Sequence, residues 1–488
     1  MRIVTTLLLV LTFAGCASPS RTVRLHPEDA RRIPSYSPWP ELKRQIDELL
    51  PDSLFPPSNA GIRIVSLSSG QTLYDLNPDL CFIPGSNQKL FTSATALHEL
   101  GPDYRFTTRV FADTVSSPVI TLRGAGDPLL ATHDMDSLAA LVAGRLPGGR
   151  IWTLAGDTSW FDDLDRGSGW CWDDEPDPTA MFISPLSLNG NAIRVLVRPG
   201  RRPGDSARVA TDPPTGFVTV ENSATTRADA LPGSIKISRR WREHSNTMTV
   251  AGEIRPADSL VSKHISIAQP EWYALTVLRE RLESRGVRCG GMILDTIPQG
   301  SWEVANLSHR LDSVLTYMNI VSDNLSAENV LKTLGAEKRG GPGSAAAGAG
   351  VLRSFLSGMG IDTSRIIIAD GSGVSRYNLT TASAIVSLLV GMRAYREIFP
   401  LWYSTFPVAG LDGTLSRRLS GTPAEGNLHA KTGTLSGVAS LSGYVATADG
   451  DTLAFSMVME HFPFRARPYR DVQDRLCSFL ASLRKNSY

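Results

Sequence analysis

The chain has 488 residues, 49 basic and 48 acidic, for a formal net charge of +1; 42% are apolar, 20% are charged and five are cysteines. The balanced charge excludes a mainly electrostatic nucleic-acid binder, the apolar content excludes a disordered chain, and so few cysteines exclude a disulfide scaffold. At about 150 residues per domain, the length implies two or three domains with ample core.

The N-terminus reads as an export signal. Arg2 precedes a short apolar run through Phe13, too short to span a bilayer as a helix. The run ends in Ala14-Gly15-Cys16, which resembles a bacterial lipobox, although Phe13 stands where leucine is usual. The expectation is a signal peptide over 1–15, lipidation of Cys16, and a tether over 16–38 that is rich in Pro, Ser and scattered charge. The alternative is an ordinary secretory signal cut nearby. No later segment reaches 18 apolar residues. Cys81, Cys171, Cys289 and Cys477 lie far apart without metal-ligand spacing, so no metal site is expected; one disulfide and free thiols both fit.

A helical period starts near Pro40 with Leu42, Ile46, Leu49 and Leu50. Residues 62–67 and 72–74 read as strand, turn, strand. After Pro84-Gly85, residues 86–100 are helical, with Leu90, Ala94 and Leu97 on one face and Gly101-Pro102 as the stop. From 105 to 299 short β-like runs dominate, at 119–122, 193–197, 217–220, 235–238 and 248–254, with helical runs at 137–146 and 272–284. This region reads as a mainly β insertion forming two further domains. Helical patterns return at 311–334, 345–358, 381–392 and 395–399, followed by strands at 441–447 and 452–460 and a helix at 469–483.

Three short motifs carry chemistry. In Ser86-Asn87-Gln88-Lys89 the serine and lysine share a helix face at i and i+3, so the amine can take the hydroxyl proton. Alone the pattern is weak: Ser482-Leu483-Arg484-Lys485 matches it too, and a serine after Pro-Gly is commonly a helix cap. Ser322-Asp323-Asn324 can place a hydroxyl and an amide in a cleft, or simply cap a helix. Lys431-Thr432-Gly433-Thr434 suits an edge strand that binds a carboxylate, with Gly433 letting a substrate backbone approach; the alternative is a surface turn. In this order the three are the signature of β-lactamases and penicillin-binding proteins. The long stretch between Ser86 and Ser322 exceeds what a minimal β-lactamase needs.

Further matches extend the pattern: Gly101-Pro102-Asp103-Tyr104-Arg105, Gly124-Ala125-Gly126-Asp127-Pro128, Gly169-Trp170-Cys171-Trp172-Asp173-Asp174, Ala327-Glu328, Asp370-Gly371-Ser372-Gly373 and Gly410-Leu411-Asp412-Gly413-Thr414. The chain thus resembles the low-molecular-mass class C penicillin-binding proteins, the D-alanyl-D-alanine carboxypeptidase/endopeptidase family, over nearly its whole mature length. The resemblance implies an α+β fold, a serine β-lactamase/transpeptidase-like core with an antiparallel sheet flanked by helices. That core would combine 39–104 with 300–488 around the insertion at 105–299.

The resemblance also implies roles. Ser86 would attack a D-Ala-D-Ala bond or stem-peptide crosslink to form an acyl-enzyme. Lys89 would be the base, its amine kept neutral by partial burial and the second cation Lys431. Ser322 would relay a proton, and Asn324 would hold substrate and orient Lys89. The backbone N–H groups of Ser86 and Thr434 would form the oxyanion hole. Thr432, Thr434 and Lys431 would bind the terminal carboxylate. Asp157 and Arg376 would address a diaminopimelate side-chain end, unless Asp157 caps a turn and Arg376 pairs within the core. No cofactor is implied. The partners would be peptidoglycan stem peptides, β-lactam inhibitors and, through the lipid, a membrane. The expected location is periplasmic, at the outer membrane, because Ala17 lacks the retention aspartate. A β-lactamase or esterase on the same core, or a non-catalytic wall-binding lipoprotein, are the other readings.

Overall fold

In the core the chain forms α1 (Pro40–Leu49), β1 (Asn59–Ser66), β2 (Thr72–Leu76) and α2 (Gln88–Leu100). The computed structural model describes residues 40–51, 54–55, 58–113, 118–228, 233–463 and 465–484. The signal peptide, Cys16 and the tether therefore lie outside the described residues.

The inserted region follows: β3 (Arg105–Asp113), β4 (Val119–Arg123), α3 (Thr132–Arg145), β5 (Ile151–Asp157), β6 (Ala192–Arg198), β7 (Arg208–Asp212), β8 (Thr219–Asn222), β9 (Thr225–Thr226), β10 (Lys236–Arg239), β11 (Thr247–Ala251), β12 (Glu253–Ile254), β13 (Val261–Ser266), α4 (Pro270–Glu283), β14 (Arg288–Leu294) and β15 (Trp302–Arg310). The core then resumes with α5 (Leu311–Ile320), α6 (Asn324–Arg339), α7 (Ala345–Gly358), α8 (Ala382–Met392), α9 (Phe399–Ser404), β16 (His429–Leu435), β17 (Val438–Ala446), β18 (Thr452–Glu460) and α10 (Arg467–Ser482).

The core sheet runs β16-β17-β18-β1-β2, antiparallel throughout. Both faces of its central strands are covered, so β17 and β18 read as unbroken apolar runs rather than alternating ones. Period 2 still sorts their side chains: Ala454 and Val458 join the cluster with α2 and α5 to α9, whereas Leu453, Phe455 and Met457 join the one with α1 and α10. α10 fits its side because Val472, Leu476 and Leu480 repeat at helical spacing and are fully buried. α2 is buried from Gln88 through Leu97, polar residues included, and is the central helix of the other layer.

The insertion departs from expectation in two ways. One of its sheets, ordered β14-β5-β4-β3-β15, pairs β4 with β5 and β5 with β14 in parallel. Parallel neighbours need crossovers, which α3 and α4 supply, so the mainly β insertion contains an α/β unit that the sequence did not announce. The remaining strands form small sheets, β13-β6-β7, β10-β11-β8 and β12-β9. Both parts share one buried cluster, with Trp152 and Leu154 beside Ile193, Met248 and Ile254. Second, residues 302–310, expected in the returning core, form β15, which pairs with β3 from Trp302↔Ala112 to Arg310↔Arg105. The chain leaves and re-enters the core side by side, and the core resumes at Leu311. β15 buries little side-chain surface, so its sequence carries no apolar alternation to announce it.

Candidate active site

The turn that carries Ser86, the candidate nucleophile, is built locally. Pro84 precedes Gly85, which takes a φ of +53°, and Gly85–Asn87 form one 3-10 turn leading into α2. The positive φ is what calls for glycine at 85; a Cβ there would meet the Thr434 amide nitrogen on the neighbouring strand at an ordinary contact distance of 3.4 Å. Asn87 is the N-cap of α2, without a side-chain capping bond. The Ser86 hydroxyl is thus not spent as a cap; it accepts a 3.1 Å hydrogen bond from Lys89 Nζ.

Lys89 is fully buried, and Nζ also donates to Asn324 Oδ1 and the Ser372 carbonyl, each at 2.7 Å. Those two partners can only accept. When the amine loses a proton, its two remaining N–H groups stay with them and its lone pair faces Ser86, the one partner that can donate. Burial pushes Lys89 down to about 8, against the nearby carboxylates of Asp370, Asp323 and Glu328. Complete burial, rather than the partial burial expected, is the leading cause. The repulsion between the two lysines instead acts on Lys431, which burial and the Lys89 charge hold well below the usual lysine value.

Ser322-Asp323-Asn324 divides its work. The Asp323 carboxylate caps α6, accepting from Ser326 N at 2.7 Å and Ser326 Oγ at 2.6 Å. Ser322 sits before the cap at a φ of +64°, a strained position for a serine. Among the described residues its hydroxyl has no hydrogen-bond partner. Asn324 opens α6; its Nδ2 donates at 2.7 Å to the Thr179 carbonyl in the inserted region, which leaves Oδ1 turned toward Lys89.

Lys431-Thr432-Gly433-Thr434 lies on β16, the edge strand of the core sheet. Gly433 does different work from that expected: a Cβ there would lie 2.1 Å from Ser440 Oγ, 2.9 Å from the Pro84 carbonyl and 3.0 Å from the Ser86 amide nitrogen. Its missing side chain lets the strand itself close on the nucleophile turn. This also brings the backbone nitrogens of Ser86 and Thr434 to the same seam. Thr432 Oγ1 donates to Thr414 Oγ1 at 2.8 Å, and Thr434 is exposed.

The two specificity candidates separate. Asp157 is 2% exposed at the end of β5; it accepts from Ser159 N at 2.9 Å and lies 3.7 Å from Arg123. It closes a turn and is not displayed to a ligand. Arg376 is exposed and donates to the Ser436 carbonyl at 2.9 Å, just beyond the end of β16. Sequence reasoning missed the groups that connect the motifs: the carbonyls of Thr179 and Ser372, buried Glu328, and Asp370, which accepts from Trp170 Nε1 at 2.9 Å. Backbone carbonyls leave no residue signal. Glu328 did have one, since it stands four residues after Asn324 on the same face of α6. All four cysteines among the described residues are free; Cys81 and Cys171 are exposed and Cys477 is buried.

A buried lysine against a serine, on a sheet-and-helix core, is the site of a serine peptidase on the β-lactamase/transpeptidase scaffold. The chain belongs to the D-Ala-D-Ala carboxypeptidase 3 (S13) family, whose model matches residues 42–483. By that membership it is a serine-type carboxypeptidase, a hydrolase. It is 35% identical over 441 residues to a D-alanyl-D-alanine carboxypeptidase of Actinomadura sp. (strain R39), covering 86% of this chain and 80% of the relative. It is 28% identical over 414 residues to a D-alanyl-D-alanine carboxypeptidase of Haemophilus influenzae, covering 82% and 84%. Its fold matches the crystal structure of penicillin binding protein 4 from Haemophilus influenzae, with a TM-score of 0.78 at 24% identity, covering 90% of this chain and 99% of that one.

Proposed function

We propose that the protein cleaves the D-Ala-D-Ala end and related crosslinks of peptidoglycan stem peptides through an acyl-enzyme on Ser86, and that β-lactams acylate the same oxygen. The observation that carries this is the 3.1 Å contact between Ser86 Oγ and a fully buried Lys89 whose other two partners are acceptors only. Neutral Lys89 takes the Ser86 proton as Oγ attacks the carbonyl carbon. The tetrahedral oxyanion is met by the N–H groups of Ser86 and Thr434. Ser322, with an uncommitted hydroxyl, gives its proton to the leaving amine as the C–N bond breaks and takes in its place the proton that Lys89 removed from Ser86, which leaves Lys89 neutral. Lys431, Thr432 and Thr434 hold the terminal carboxylate. Water then cleaves the Ser86 ester, returning its proton through Lys89. Arg376, exposed beside β16, addresses a charged stem-peptide side chain.

In support of the penicillin-binding part of the reading, the same Haemophilus influenzae protein has a second crystal structure, complexed with a β-lactam, whose fold this chain matches at a TM-score of 0.72 and 23% identity. Export and a lipid on Cys16, holding the enzyme at the periplasmic face of the outer membrane, rest on the sequence of residues 1–17 alone. The test is intact-protein mass after incubation with a penicillin. A lasting adduct on the wild type and none on Ser86→Ala is expected. An adduct on both removes Ser86 as nucleophile; penicillin consumed without an adduct makes the protein a β-lactamase instead.

A further inference from the structure

Glu328 is fully buried in the middle of α6, and its carboxylate has no cationic hydrogen-bond partner. Oε1 accepts from the backbone N–H of Gly371 at 3.1 Å and of Ser372 at 2.9 Å; Oε2 accepts from Gly371 N at 3.2 Å. The carbonyl of that same Ser372 accepts from Lys89 Nζ. One turn earlier on α6, Asn324 supplies the other fixed acceptor of Lys89. A single helix therefore controls two of the three contacts of the amine, one directly and one through the 371–372 backbone. The approach is tight: a Cβ on Gly371 would lie 2.4 Å from the Ala327 carbonyl, so this loop lies directly against α6.

A buried carboxylate is expensive, and an amide or a hydrophobe could fill the space at lower desolvation cost. Burial and the neighbouring Asp370 carboxylate raise Glu328 to about 7, while the Ser372 side chain and the Gly371 and Ser372 amides favour its charged form. The charged groups facing the pair are Asp323 at the cap of α6, Asp370 in the loop and Lys431 on β16. Asp370 is committed elsewhere, accepting from Gly373 N, Ser375 N and Asn378 Nδ2 in its own loop and from Trp170 Nε1 in the insertion. Glu328 is the carboxylate whose hydrogen bonds lead to Lys89.

We propose that Glu328 is a positioning residue of this site: it fixes the Ser372 carbonyl on Lys89 Nζ and keeps a negative charge behind the amine. This rests on the reading of Lys89 as the base for Ser86. Two consequences follow with opposite signs for a conservative variant. Losing the charge makes Lys89 easier to deprotonate, and losing the hydrogen bonds lets the Ser372 carbonyl drift, so the lone pair is no longer aimed at Ser86.

The experiment is the pH dependence of acylation by a fluorescent penicillin, followed for wild type, Glu328→Gln and Glu328→Asp. In E328Q the rise of rate with pH moves to lower pH by about half a unit or more, and the plateau falls about tenfold or more. In E328D the charge remains, so the rise stays where it is in the wild type while the plateau falls. Folded E328Q with a lowered plateau and an unmoved rise overturns the charge half of the proposal. A wild-type plateau in either variant overturns the positioning half. If E328Q does not fold, E328D alone decides positioning, and a second charge-removing variant, Glu328→Met, decides the charge by the same pH profile. Failure of the underlying reading looks different: the wild type itself is then not acylated.

Discussion

The carbonyl of Thr179, in the inserted region, accepts a 2.7 Å hydrogen bond from the side-chain amide of Asn324 in the core. This bond decides which end of the Asn324 amide faces Lys89. Were the amide reversed, two donors would confront the lysine and an oxygen would confront a carbonyl. The insertion thus takes part in arranging the site it surrounds. Asn324→Asp tests the consequence. It adds a negative charge 2.7 Å from Lys89 Nζ and sets a carboxylate against the Thr179 carbonyl. The rise of penicillin acylation with pH is expected to shift to higher pH, opposite to E328Q, and the rate at pH 7 to fall about a hundredfold, read by stopped-flow.

In the wild type the acylation rate should climb with pH through about 8, because Lys89 acts as a base only when neutral and burial holds it there. The sign is fixed: a base that must lose its proton is switched on, not off, by rising pH. A profile that is flat from pH 6.5 to 9, or that falls across it, would contradict Lys89 as the base.

Gly433→Ala should separate stability from chemistry. The added methyl meets Ser440 Oγ, the Pro84 carbonyl and the Ser86 nitrogen. Ser440 Oγ donates to that carbonyl, so its rotation away breaks a buried hydrogen bond. Overpacking of this kind is expected to cost about 1–3 kcal/mol, measured by denaturant unfolding. Acylation should fall further than that loss implies, by about a hundredfold, because β16 and the nucleophile turn are forced apart.

Glu175 is 5% exposed; it pairs with Arg166 at 2.5 Å inside the loop that carries Trp170 and Thr179, and joins that loop to the rest of the insertion through Arg239 at 3.0 Å. The Arg239 side chain is fully buried. Glu175→Gln leaves it without its counter-charge, which is expected to destabilise the protein by about 3–5 kcal/mol. Thermal unfolding checks the loss. Reduced penicillin acylation in the folded fraction would show that the loop transmits the damage to Asn324.

Asp157→Ala should lower stability by about 1 kcal/mol through loss of its turn and leave the ratio of hydrolysis of diaminopimelate-type to lysine-type peptides unchanged. Arg376→Ala should change that ratio with little effect on stability, since the side chain is exposed at the rim. Paired peptide assays distinguish the two residues.

Residue identity and order were enough to place Ser86 with Lys89 on one helix face, because i and i+3 meet on any helix. They were also enough to place β17 and β18 as strands and α10 as a helix near the end of the chain, because apolar strand runs and helical spacing are local patterns. Local pattern could not announce β15, β14 or the parallel pairing around β5, where exposed edges and long-range crossovers decide. It left Asp157 between a specificity role and a turn cap, and the turn contact is the one present: its carboxylate accepts from a backbone N–H two residues away. Above all it could not supply the contacts made by backbone carbonyls. Residue types and their order name the side chains that could do the chemistry. Packing settles the rest: Lys89 is buried and pushed down to about 8, Thr179 and Ser372 hold its surroundings, and Gly433 lets the strand close on Ser86. Burial and main-chain hydrogen bonds between segments hundreds of residues apart are properties of packing, and no local pattern encodes them.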